Sequence, residues 1–290
     1  MSIKGAVFAT VAWFDVFGQP VSAEEVHHYL FWERAKISDV KQALESDRRI
    51  GKSFGFYFLQ GKSTSVLRRC QRQYRSGKLW RRVLRHVFIL RKIPFLRLAA
   101  VGNTLAMGWP EKNSDIDLFA VARKKRLFTT RAFLTFWTQL FRMRRHGKKI
   151  SGRFCLSFFV DDNSLNLEPL KIGEQDPYLA FWVVTLTPIF GNAAPEFFAA
   201  NTWIKPYFPN FRLRTTQKKF RRANWLEKFL NGLLGDWLEK RLRRWQLGRA
   251  SSKQKNRDTN AVVISESILK FHETDQRKEF LKEWQKRLKN

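Results

Sequence analysis

The chain has 290 residues, 44% of them hydrophobic, including 27 Phe and 11 Trp. That is enough apolar material for one large or two modest cores, and it excludes wholesale disorder. The formal charge is +30, from 55 basic against 25 acidic residues, and no Asp or Glu occurs at 48–110 or 118–160. Acid-free surface of this extent points to a polyanionic partner, with RNA favoured over DNA. An anionic membrane surface is the competing use of the same charge. Cys70 and Cys155 are the only cysteines. They give neither a disulfide framework nor a zinc spacing, which fits a reducing, cytoplasmic location. The apolar run at 6–14 runs into Asp15 and has no small-residue cleavage site, so it reads as a core helix rather than a signal peptide. The stretch at 127–141 contains Arg131 and Gln139 and is too short to span a bilayer.

In chain order, 4–17 is helical and stops at Gly18-Gln19-Pro20. Ser22-Ala23-Glu24-Glu25 is a capping box that opens a second helix to about Leu30. A third helix covers 38–45, and 50–59 reads as two short strands around Ser53-Phe54-Gly55. Three helices and a hairpin, in that order, resemble a winged helix-turn-helix, which sets a module at 1–62. The third helix offers Lys36, Lys41, Arg48 and Arg49 among Asp39, Glu45 and Asp47, a mixed set for reading a DNA groove. From 63 to 94 the pattern is a basic connector helix. Leu67, Cys70, Tyr74, Leu79, Trp80, Val83, Leu84, Val87 and Phe88 form its apolar stripe, and Arg72, Arg75, Arg81, Arg82 and Arg85 its opposite face.

Ile93-Pro94 ends that helix, and the most informative segment follows. Ala100-Val101-Gly102-Asn103 leaves an apolar strand by a tight turn, and eleven residues later comes Asp115-Ile116-Asp117-Leu118. Residues two apart on a strand share a face, so Asp115 and Asp117 project side by side. Two carboxylates that close repel, and one keeps its proton unless a cation lies between them. Magnesium prefers a couple of carboxylates plus substrate phosphates, and a pair of such ions clamps in-line attack at phosphorus. The Gly-led turn lets backbone N–H groups approach a triphosphate.

This arrangement resembles the signature of the DNA polymerase beta-like nucleotidyltransferase superfamily: an apolar residue, Gly and Gly or Ser, then an Asp-x-Asp on the next strand. The likeness is firm over 97–122 and extends to about 160. It implies Asp115 and Asp117 as catalytic residues and ligands of Mg2+ (or Mn2+), with Gly102, Asn103 and Ser114 binding the nucleotide. The implied reaction moves a nucleoside monophosphate from a nucleoside triphosphate to a hydroxyl of RNA, a protein or a small molecule. Asn103 stands where the family has Ser or Gly. The third carboxylate of the family lies in the next core strand, here 154–160, which carries no acid. Asp161, at its end and on the face of Ser157 and Phe159, is the candidate for that role. Lys112 or Arg123 would steady the leaving phosphates. The alternative is a degenerate member of the same fold that acts as a nucleic-acid-binding or regulatory module.

Beyond Ala122, Arg123-Lys124-Lys125-Arg126 forms a basic turn, 129–143 a helix, and 142–149 a basic loop that includes His146. Asp176-Pro177 caps a helix over 178–189 that Pro188 stops. The helix at 223–247 places Trp225, Leu226, Phe229, Leu230, Leu233, Leu234, Trp237, Leu238, Leu242 and Trp245 on one face, with Lys240, Arg241, Arg243 and Arg244 near its end. Such a helix packs on the catalytic domain or lies on an anionic membrane. The polar stretch at 248–262 reads as a disordered linker, and 263–290 as a terminal helix over 267–288. The expected class is α+β: a winged-helix-like module (1–62), the connector (63–94), a nucleotidyltransferase core with a mixed sheet (95–170), a helical C-terminal region (171–247), the linker and the terminal helix.

Overall fold

The computed structural model describes residues 1–62, 65–147, 149–213, 225–254, 262–271 and 275–289, with only the backbone at 249–254. The chain opens with α1 (Ile3–Val16), α2 (Ala23–His28) and α3 (Ile37–Ser46), followed by an antiparallel hairpin, β1 (Ile50–Ser53) and β2 (Phe56–Leu59). Ser2 Oγ accepts from Gly5 N–H to start α1. The Ser22–Glu25 capping box starts α2 with both reciprocal bonds in place. The hairpin turns through Phe54 and Gly55, both at positive φ, the geometry that matches strand twist.

α4 (Ser65–Leu90) departs from its apolar periodicity. Leu67 and Tyr74 are exposed, whereas Arg69 and Arg72 are buried. Arg69 donates to Pro20 O at 2.6 Å, and Arg72 to Phe17 O at 3.0 Å and to the Glu111 carboxylate at 2.5 Å. Charge-assisted hydrogen bonds to the 17–20 turn thus select the buried face of the first half of α4, and Arg72 does not belong to the exposed basic face.

The centre is a six-stranded mixed sheet. Its elements in chain order are β3 (Leu96–Val101), α5 (Asn103–Ala106), β4 (Ile116–Ala122), α6 (Leu127–Leu140), β5 (Phe154–Asp161), α7 (Pro177–Thr185), β6 (Thr187–Gly191) and α8 (Ala194–Ala200). Then come α9 (Trp225–Phe229), α10 (Leu233–Gln254), β7 (Val262–Ile264), β8 (Ile268–Phe271) and α11 (Arg277–Lys289). The strand order is β6-β3-β4-β5-β8-β7. Only β4 and β5 run parallel, joined by the α6 crossover that a parallel pair requires. One sheet face, with Ala99, Val101, Leu118, Ala120, Phe159 and Leu269, is covered by α4 and α6. The other, with Leu98, Ala100, Phe119, Val121 and Phe158, shares one core with α1, α7, α8 and α11. The opening helices therefore pack into the same core as the sheet. Trp284 of α11 makes the join: it is buried against Trp13 and Phe31, and its indole N–H donates to Ala9 O at 2.9 Å.

Several C-terminal expectations are corrected. The helix expected to reach 189 ends at Thr185, and Pro188 sits in β6, where its missing N–H is tolerated because β6 is an edge strand. The single helix expected at 223–247 breaks between Phe229 and Leu233. A Cβ on Gly235 would lie 1.8 Å from Leu230 O, so the chain can fold back there only because residue 235 is glycine. The break rotates the apolar stripe: Leu233, Leu234, Trp237 and Trp245 are exposed, while Glu239, Leu242 and Gln246 meet α6. The expected linker instead continues α10 to Gln254; residues 255–261 lie outside the described residues, and Val262 begins β7. The terminal segment is not helical from 267, because 268–271 pair with β5 and 262–264 extend the sheet further. Among the described residues no helix is long and apolar enough to cross a membrane.

Candidate metal and nucleotide site

β3 and β4 are antiparallel neighbours, with Val101 opposite Leu118, so the turn leaving β3 stands beside the start of β4. Gly102 N–H donates to Asp117 O at 3.0 Å. A Cβ at Gly102 would come within 3.3 Å of both Trp182 Nε1 and Leu186 Cδ2, which explains the glycine by close approach. Asn103 follows at φ 51°, a left-handed conformation that Asn tolerates better than most residues. Trp182, on α7, donates its indole N–H to Asn103 Oδ1 at 2.7 Å. With the oxygen engaged, the amide NH2 is the group that hydrogen-bonds the Asp117 carboxylate.

In the parallel pair, Cys155 of β5 lies directly opposite Asp117. One carboxylate oxygen from each of Asp115 and Asp117 and the Cys155 Sγ lie within 4.8 Å of one another, all on half-buried side chains. Arg145 Nη1 donates to Asp115 Oδ2 at 2.9 Å. Burial, and then the Asp115 charge, push Asp117 up to about 7 against the hydrogen bonds from Asn103 and Cys155 and the Arg145 charge. Burial and the two carboxylates push the Cys155 thiol up to about 12, so at neutral pH it is a neutral hydrogen-bond donor. Two carboxylates that resist joint ionisation form a site that a divalent cation relieves. Their oxygens suit magnesium or manganese with substrate phosphates completing the shell, whereas a thiol sulfur is a soft donor that neither ion prefers. Asp115 and Asp117 fit such an ion, and Cys155 adds no hard ligand.

Ser114 stands next to the pair, but its hydroxyl closes the loop that leads into β4. It accepts from Glu111 N–H at 2.8 Å, and Thr104 Oγ1 lies 3.4 Å away. Asp161 is not brought to the site, which corrects its expected catalytic role. It pairs with Ala122 at the far end of β4, six residues along β5 from Cys155, or about 20 Å at the usual rise. A register shift between Asp117 and Phe119 also inserts an extra residue in β5. Phe158 thereby faces the Asp117 side, and Phe159, with Asp161, the opposite side of the sheet. Asp161 accepts from Asn163 N–H there, and burial raises its carboxyl above the usual range. Arg123 follows the same remote end of β4 and donates to Asn231 Oδ1. Lys112 and His146 are exposed.

Sequence reasoning missed Arg145, Trp182 and the position of Cys155. The acid-free basic loop at 142–149 was the only signal for the first. Nothing local marks a tryptophan 79 residues away as the partner of Asn103. A cavity of about 120 Å³ opens beyond Asn103, lined by Phe158, Tyr178, Trp182, Lys270 and Phe280 among others. No protein-family model, no curated protein and no solved structure matches this chain.

Proposed function

We propose that the chain is a metal-dependent nucleotidyltransferase of the polymerase beta-like kind, moving a nucleoside monophosphate from a nucleoside triphosphate to a hydroxyl acceptor. One observation carries this reading: the Gly102–Asn103 turn abuts a carboxylate pair, Asp115 and Asp117, whose oxygens lie within 4.8 Å of each other. The pair would hold magnesium or manganese, which when bound neutralises triphosphate charge and polarises the α-phosphorus. Gly102 lets Trp182 and Leu186 pack closely on the turn and ties it to Asp117 through its N–H. Arg145 pairs directly with the Asp115 carboxylate. Asn103, oriented by Trp182, keeps the Asp117 carboxylate aimed at the reacting centre. The aromatic cavity beyond Asn103 offers stacking surface for a base. The acceptor oxygen bonds to the α-phosphorus as the bond to pyrophosphate breaks, and the hydroxyl proton is lost to water. The three opening helices and hairpin fit a winged-helix-like module packed on this core.

One observation favours a second reading, a catalytically degenerate member of the fold that binds nucleic acid or regulates. Cys155, a neutral thiol, occupies the position opposite Asp117 on the strand where the family carries its third acid. Transfer from each α-labelled nucleoside triphosphate to bulk RNA and to the protein itself, with magnesium or manganese, separates the two. Transfer by the wild-type chain that is lost in Asp117→Asn with the fold intact supports the enzyme. Transfer unchanged by that substitution refutes it. Nucleotide binding without transfer selects the degenerate reading.

A further inference from the structure

The second half of α4 carries a groove of about 400 Å³ lined by Lys78, Arg81, Arg82, Arg85 and His86, with no apolar side chain and no carboxylate among the lining residues. Lys78, Arg81 and Arg85 are exposed, whereas Arg82 and His86 are half-buried. Among the described residues, no carboxylate pairs with Arg81, Arg82 or Arg85. Lys78 instead lies over the Tyr74 ring at 4.3 Å. Burial, with Arg153 and Arg85 nearby, lowers the Arg82 guanidinium below its ordinary value, the sign of positive charge gathered without an anion to neutralise it. The run from Lys78 to His86 spans about 12 Å of helix, the rise of three or four stacked nucleotides.

The groove meets the backbone near Asp115, on the sheet face opposite the one from which the Asp117 side chain projects. Arg82 Nη1 and Leu79 would each lie 3.3 Å from a Cβ on Gly152, so α4 rests against that glycine. Gly152 N–H donates to Ser114 O at 2.8 Å, and Ile116 N–H to Arg153 O at 2.8 Å. These two bonds bracket Asp115.

We infer that the Lys78–His86 groove binds the sugar-phosphate backbone of a single-stranded RNA. This binding stands without the nucleotidyltransferase reading. Leu84 and Phe88 stand exposed on the same helix, so binding to an anionic lipid surface is the competing outcome that the test separates. The chemistry the groove presents is cationic nitrogen at phosphate spacing, which positions a strand without reading its sequence.

The test is anisotropy of a fluorescein-labelled single-stranded RNA of mixed sequence with the full chain, at 50 and 200 mM salt. Four phosphate contacts weaken wild-type binding about fiftyfold across that interval, and the double substitution Arg81→Gln/Arg85→Gln cuts the loss to about sevenfold. Both arginines are exposed, and circular dichroism verifies that the variant folds. The inference is overturned if the double variant keeps wild-type affinity and salt dependence. It is equally overturned if vesicles containing phosphatidylserine bind through these arginines while RNA does not. RNA binding with no label transfer by wild type defeats the enzyme reading and leaves the groove. Transfer that survives with RNA binding unaltered in the double variant defeats the groove and leaves the enzyme.

Discussion

Replacing Cys155 with Asp puts a third carboxylate opposite Asp117, within 4.8 Å of both existing acids if the side chain keeps its place. At that separation, and at an effective dielectric constant near 20, each new pair repels by about 3–4 kcal/mol when ionised. In EDTA at pH 8 the variant either holds a proton on the cluster or loses stability of that order. For a chain of this size about 3 kcal/mol lowers Tm by roughly 6–12 °C. Saturating Mn2+, at a hundred times its Kd, returns about 2.7 kcal/mol. Thermal unfolding of wild type and Cys155→Asp, each with EDTA and with Mn2+, reads this directly. The expected pattern is a large metal-dependent rise in Tm for the variant and a smaller one for wild type. A variant as stable as wild type in EDTA, or one indifferent to Mn2+, would refute the placement of Cys155 beside two acids.

Three further outcomes follow from the geometry. Arg277→Met strands buried Asp176, whose carboxylate also accepts from Leu179 N–H. Urea unfolding should show a loss of about 3–5 kcal/mol, reduced in Arg277→Met/Asp176→Asn. Because folding lifts Asp117 to about 7 from 3.8, the folded chain binds an extra proton between those values. Metal-free stability in EDTA therefore falls as pH rises across that window, and Asp117→Asn, compared with wild type in the same buffers, lacks this component of the slope. Trp182→Phe removes the N–H that holds Asn103 and keeps most of the aromatic packing. Nucleotide affinity measured by calorimetry should drop roughly tenfold, for about 1–1.5 kcal/mol, while Tm changes little.

The elements that carry strong local signals were legible in the sequence. Ser22 and Glu25 announce α2, Asp176-Pro177 announces α7, and the apolar strands flanking the site stand where their residues put them. What was not legible depends on distant partners. Arg69 and Arg72 are buried because carbonyls at 17–20 and the acids Glu25 and Glu111 receive them, so the apolar stripe misstates the buried face of α4. Glu239 and Gln246 sit on the inner face of α10 because Glu239 accepts from Phe128 N–H and Thr129 N–H at the start of α6, and Gln246 donates to Phe128 O. No helical wheel of α10 alone contains that. β8 hides its strand character because buried Lys270 interrupts its apolar run. At the site, the Gly102–Asn103 turn and the Asp115–Asp117 pair were readable from spacing. Asp161 fails because six residues of strand carry it about 20 Å from Cys155, and the register shift in β5 turns it to the opposite face as well.

The central claim is that Asp115 and Asp117 together form a divalent-metal site that seats a triphosphate. Electron paramagnetic resonance of Mn2+ with the full chain and a non-hydrolysable nucleoside triphosphate analogue tests it most directly. The account predicts protein-bound Mn2+ that tightens with the analogue and is lost in Asp115→Asn/Asp117→Asn, with circular dichroism unchanged. Mn2+ and analogue binding that persists unaltered in the double variant, or is missing from the folded wild-type chain, would contradict it.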